Sequence, residues 1–172
     1  MKPNINGLKS PFIAIAVKTL FVIILVAGLS GPRLFAQTTS DQAPRLLTSY
    51  YGIKDALVAG DANTAAAKAE EFVKAANAID EKTIPAPTRS ALVKDAGDIA
   101  GNKDIKQQRE HFAGLSTNMA TLAKSVKLSS QPVYQQYCPM KKSYWLSADK
   151  AIKNPYYGNA MLTCGKVVET IQ

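Results

Sequence analysis

The sequence predicts an all-α fold: a four-helix up-and-down bundle with a carboxy-terminal loop and short β-hairpin element packed on it. Three observations lead there. Apolar residues recur at three- and four-residue steps through four segments between Pro44 and Val126. Capping or breaking residues bound those segments, among them the Gly60-Asp61 joint, Pro85 and Pro87, Gly101 and Asp104. After Lys127 the texture changes to β-branched and aromatic runs cut by Pro139, Pro155, Gly158 and Gly165.

The chain has 172 residues, room for one ordinary domain. Its start reads as a targeting segment. Met1 to Lys18 carries Lys2, Lys9 and Lys18 and no acid, Leu20 to Ala27 is apolar, and Gly28 to Ala36 is a short exit ending in a small residue. That plan predicts a secretory signal peptide over residues 1–36, cleaved after Ala36. Lys18 interrupts an apolar run that is already short of the about 20 residues a span requires, so no stable membrane insertion is expected after cleavage. The expected location is periplasmic. Residues 37–43 are expected to be a flexible amino terminus, and residues 44–172 a single domain whose last part, 131–172, carries the cysteines. Loss of Lys2, Lys9, Lys18 and Arg33 lowers the formal charge from +8 to +4. That excess is spread along the chain without a basic stripe, which argues against a nucleic-acid partner.

The first helix is predicted from Pro44, suited to a first turn, to Ala59, with Leu47, Tyr50, Tyr51, Lys54, Leu57 and Val58 on one stripe. Gly60 suits the left-handed closing position and Asp61 the next N-cap. The second helix, about Ala62 to Ile79, buries Ala65, Ala69, Phe72, Val73, Ala76 and Ile79; its small residues allow close approach. The third runs from Pro87 or Thr88 through Leu92, Val93, Ala96 and Ile99 to Gly101. The fourth follows Asp104, with Ile105, Phe112, Leu115, Met119, Leu122 and Val126 on one stripe and His111 on its flank. Val133–Tyr137 and Lys166–Ile171 have strand character and are expected to pair.

Between those strands lie both cysteines, the one tryptophan and two of the four methionines. Cys138 and Met140 are separated by Pro139, which stiffens the bend. Met161 and Cys164 are three apart and would share a face on a helical turn. Two thiols and two thioethers together form a soft ligand set, which selects Cu(I) or its mimic Ag(I); zinc accepts thiolates but rarely thioethers. His111, the only histidine, is a further candidate ligand, or a boundary residue that packs. Trp145, Tyr156 and Tyr157 would cover the site or serve as a docking surface. The rival reading is a Cys138–Cys164 disulfide, expected in an oxidising compartment. It would close a loop of about 26 residues and stabilise by roughly 3 kcal/mol. No Ser/His/Asp or Cys/His arrangement is visible, so the chain is read as a binding protein and not an enzyme.

Tyr137-Cys138-Pro139-Met140, Trp145-Leu146-Ser147, Ile152 to Gly158 and Met161-Leu162-Thr163-Cys164-Gly165 together resemble the bacterial family called domain of unknown function 3347. Tyr50-Tyr51, Asp55-Ala56-Leu57 and Gln108 to Ser116 extend the resemblance into the helices. It implies an exported protein. Similar domains form a tail on periplasmic adaptor subunits of heavy-metal efflux pumps. By that analogy it implies copper or silver traffic through Cys138, Met140, Met161 and Cys164, with an efflux adaptor or a copper protein as partner. The hairpin and barrel domains of the adaptors are lacking here, which implies a free-standing binding protein or metallochaperone.

Overall fold

The computed structural model describes residues 42–172. The predicted signal peptide and residues 37–41 lie outside the described residues. Helix α1 spans Gln42–Ala59, α2 Ala62–Ala78, α3 Ala86–Ala100 and α4 Ile105–Ser125. Helix α1 starts two residues before Pro44, so Gln42 and Ala43 are helical where a loose terminus was expected, and Ala43 is buried.

The local chemistry explains the joints. Gly60 closes α1 with φ +78, a conformation costly for any residue with a Cβ. The Asp61 carboxylate then accepts from the Thr64 amide and hydroxyl at 3.0 and 2.7 Å, which holds its carboxyl below the ordinary range. Asp104 caps α4 by accepting from Lys106 N–H at 2.9 Å. Consecutive helices pack on each other, while α1 and α4 meet over a narrower area. Ala65, Ala69 and Ala76 of α2 are fully buried around Phe72, and α4 buries Phe112, Leu115 and Met119. Buried Gln108 of α4 donates to the carbonyls of Ala62, Ile99 and Asn102 at 2.9, 3.3 and 2.7 Å, joining three helices at one end.

The carboxy-terminal part is a three-stranded antiparallel sheet of order β2-β1-β3: β1 is Val133–Cys138, β2 Ser143–Ser147 and β3 Lys166–Ile171. The fold is therefore four helices plus a sheet, and the all-α expectation is corrected. Strands β1 and β3 pair as their composition suggests, with a bulge between Gln135 and Gln136. Strand β2 carries no alternation in its sequence because Trp145, Leu146 and Ser147 are all buried. One sheet face turns to α4. The other is covered by residues 148–165, where Gln136 Nε2 donates to the carbonyls of Asp149, Lys150 and Ala151 at 2.8, 3.3 and 3.3 Å.

One buried hydroxyl fastens the sheet to the helices. Tyr50 on α1 shares a 2.7 Å hydrogen bond with Ser116 on α4 and accepts from Leu146 N–H of β2 at 3.0 Å. Burial pushes this phenol above its ordinary pKa, so it stays neutral. Its ring stacks on Phe112 at 5.2 Å. Replacing Tyr50 by Phe keeps the ring but strands the Leu146 N–H and the Ser116 hydroxyl. Tyr50→Phe is expected to lower unfolding free energy by roughly 1–3 kcal/mol in urea titration, with helical circular dichroism unchanged. A midpoint equal to that of the parent chain refutes this role.

Candidate metal centre

The centre is built where β1 ends, under the covering segment. Cys138, the last residue of β1, is fully buried. The antiparallel register sets Tyr137 opposite Lys166, so the chain entering β3 brings Cys164 back to Cys138. The two thiols are near enough for Cys138 to perturb Cys164, and both are free. Burial, then the neighbouring Cys138, raises the Cys164 pKa above that of an ordinary cysteine; the Met140 amide beside its sulfur opposes this.

Asn154 organises the pair. It is fully buried, and its Nδ2 donates to Cys138 Sγ at 3.2 Å and to the Cys164 carbonyl at 2.8 Å. Its Oδ1 accepts from Tyr156 N–H at 2.9 Å, and its own amide donates to the Leu162 carbonyl at 2.8 Å. One side chain thus joins both cysteine segments to the loop between them. The Lys141 amide is a second donor to Cys138 Sγ, at 3.4 Å. Two glycines permit the close approach. Gly165 lies under Trp145, where a Cβ would stand 2.7 Å from the ring. Gly158, at φ +54, leaves no room for a Cβ against Arg109 Nη2 and the Val58 carbonyl, at 2.7 and 2.8 Å, and so seats the loop on α1 and α4.

The other sequence-predicted residues distribute unevenly. Met140 stands on the β1–β2 turn, 62 % exposed, with its amide against Cys164. Met161 is half-buried at the end of a short 3-10 turn, Gly158–Met161, and its carbonyl accepts from Cys164 N–H at 3.0 Å. That turn stops before Cys164, so a tight backbone turn, and not a shared helical face, joins the two residues. His111 is not brought to the thiols: it sits on the α3–α4 seam, its Nδ1 3.7 Å from Asp98 Oδ2. Trp145 is fully buried, edge-on to Tyr156 at 6.0 Å, with its indole N–H lacking a partner among the described residues. Buried Tyr156 donates its hydroxyl to the Tyr144 carbonyl, and Tyr157 is half-buried beside it.

Among the described residues, no three His, Cys, Asp or Glu side chains gather as a metal-binding group. An ion at this centre would therefore rest on two thiolates and whatever thioether reaches them. A low-coordinate sulfur site of that kind suits a soft monovalent cation. Residue reasoning missed Asn154 as the organiser. Its signal was the Asn-Pro dipeptide, which marks a turn, but nothing in that dipeptide indicates a sulfur partner.

A family model described as "Protein of unknown function (DUF3347)" matches residues 46–131. The match covers α1 from Leu46 onward and the other three helices, and ends before β1, so the cysteine segment lies beyond it. No curated protein and no solved structure matches the chain.

Asn154→Ala removes the donor shared by Cys138 Sγ and the Cys164 carbonyl. The expected result is a loss of roughly 1–3 kcal/mol in denaturant titration and faster alkylation of Cys138 in the native protein. Equal stability and equal Cys138 reactivity would show that the amide organises nothing. The raised Cys164 pKa means that the thiol stays protonated where an unfolded cysteine has already ionised. Stability from this group is thus present below the unfolded cysteine pKa and falls as pH rises toward the folded value. Iodoacetamide labelling of Cys164 against pH should inflect above the midpoint of a cysteine in an unstructured peptide; a lower inflection contradicts the assignment.

Proposed function

The chain belongs to the DUF3347 family of proteins of unknown function, and from that premise we propose that it is a periplasmic Cu(I)- or Ag(I)-binding protein, a metallochaperone associated with heavy-metal efflux. The observation that carries the reading is the adjacency of Cys138 and Cys164 in a shell of N–H donors. The family resemblance to efflux-adaptor tails supplies the direction of traffic.

The ion is cargo, and the protein's own groups explain how it would be taken up. Bringing two thiols together makes it costly to ionise both, and an intervening cation removes that cost, so loading would release protons. Asn154 and the Lys141 amide would fix the Cys138 lone pairs during the exchange. Met140, on an exposed turn, is the donor a partner could reach first. Trp145 and Tyr156 would close the inner side. Export with removal of residues 1–36 belongs to the same proposal, as does an up-and-down course for the helices, which the two-residue α1–α2 joint and the sequential packing support. The role is binding and transfer, not catalysis.

The same adjacency favours one rival, a structural module stapled by a Cys138–Cys164 disulfide. Titrating the reduced full chain with Cu(I) against a competing chelator separates the two. One equivalent is expected to bind, with binding lost in the Cys138→Ser, Cys164→Ser double variant and weakened about 10-fold or more in Met140→Leu. No binding, or binding unchanged in the double variant, overturns the copper reading. A disulfide that mild reductant leaves intact, seen by mass spectrometry of unreduced periplasmic protein, would favour the staple.

A further inference from the structure

Beside the thiol pair lies a second feature that copper binding does not use. A cavity of about 280 Å³ is lined by Lys106, Arg109 and Glu110 of α4, Lys141 of the β1–β2 turn, and Tyr156 and Tyr157 of the covering segment. Three cations face one carboxylate, and Lys141 already pairs with that carboxylate, Glu110. Lys106 and Arg109 pair with no carboxylate among the described residues.

Arg109 is the informative member. Its Nη2 donates to the Leu57 carbonyl at 2.8 Å, a neutral acceptor, and its Nε is buried without a partner. Partial burial lowers its pKa, because the cation is partly held out of water. A partly buried guanidinium in a cavity beside a lysine that pairs with no carboxylate among the described residues makes a site that attracts an anion. Tyr156 and Tyr157 give the cavity aromatic walls. Lys141 follows directly on Met140, whose side chain is 62 % exposed. A cationic cavity whose Lys141 adjoins an exposed Met140 in the chain fits a protein surface better than a free ion, because a protein covers both at once.

We infer that this cavity is a docking site for a carboxylate-bearing segment of a partner protein, received beside Met140 and the thiol pair. Glu110 acts as the placeholder: its hold on Lys141 gives way to the partner's carboxylate. Docking there places the partner against the turn that carries Met140 and leads out of Cys138. The inference goes beyond the copper reading and stands without it, since the docking needs no metal.

The test uses the full chain, metal-free and reduced, with a hexaglutamate peptide capped at both ends as probe and succinate as the small-carboxylate arm. Binding is followed by nuclear magnetic resonance shifts at Lys106, Arg109, Lys141 and Tyr157. The peptide is expected to bind there in a salt-sensitive manner, about 10-fold more weakly in the Lys106→Gln, Lys141→Gln double variant and more tightly in Glu110→Gln. Thermal unfolding confirms that the variants are folded; should the double variant not fold, Glu110→Gln alone decides. Peptide binding that is absent, or unchanged in the variants that fold, overturns the inference. Succinate binding as tight as that of the peptide overturns its partner-protein form, leaving a small-carboxylate site.

Discussion

A single phenol, Tyr50, holds together the two halves on which everything else rests. A small antiparallel sheet has two edges, and each edge strand presents backbone groups that need partners or water. Strand β2 is buried over its Trp145–Ser147 half, so water has little access there. Its outward N–H at Leu146 goes to the Tyr50 hydroxyl, and its outward carbonyl at Tyr144 receives the Tyr156 hydroxyl. Two tyrosines therefore do for β2 what a fourth strand would otherwise do. Because Tyr50 belongs to α1 and also bonds Ser116 of α4, the edge is capped and the sheet docked by the same atom.

That docking decides where the cysteines come to lie. Strand β1 is central, and Cys138 ends it on the face turned away from α4. The segment 148–165 covers this face through side-chain amides, not through a strand of its own: Gln136 draws in three successive carbonyls, and Asn154 ties the end of β1 at Cys138 to the Cys164 carbonyl just before β3. Irregular backbone can be buried only where such donors satisfy it. The covering segment is thus held to the sheet by named donors, and the thiol pair lies beneath it.

The helical part was legible because one physical rule governs it: a stripe at helical spacing, closed by residues that satisfy the free ends. Gly60, Asp61 and Asp104 do in the structure what their types suggest. Strands β1 and β3 were legible from β-branched composition. Strand β2 was not, since burial on both faces erases alternation, and Trp145 reads equally well as a loop plug. The sulfur segment was visible as a concentration of residue types, but its geometry was not. Spacing placed Met161 and Cys164 on one helical face, whereas the short turn ends early and a backbone bond ties them instead. His111 illustrates the limit of a flank position: helical phase puts it near a seam, and only the packing of α3, with Asp98 opposite, says which seam. Asn154 and Arg109 act through partners 10 or more residues away in sequence, a relation that local pattern does not encode.

The two readings of the cysteine pair follow from the same geometry and exclude each other. A disulfide uses both sulfurs and leaves none for an ion; a bound soft cation occupies the lone pairs that an oxidant would attack. Asn154 bears on which of these the site suits. A donor aimed at Cys138 Sγ is of most use to a sulfur that carries charge, and it would remain as a weaker contact once that sulfur is in a disulfide. The raised pKa of Cys164 acts in the opposite sense, keeping the second sulfur protonated until something compensates it. A pair so arranged, with Cys138 supplied with N–H donors and Cys164 kept protonated by burial and by its neighbour, must give up the Cys164 proton on either course, to a bound cation or to a disulfide.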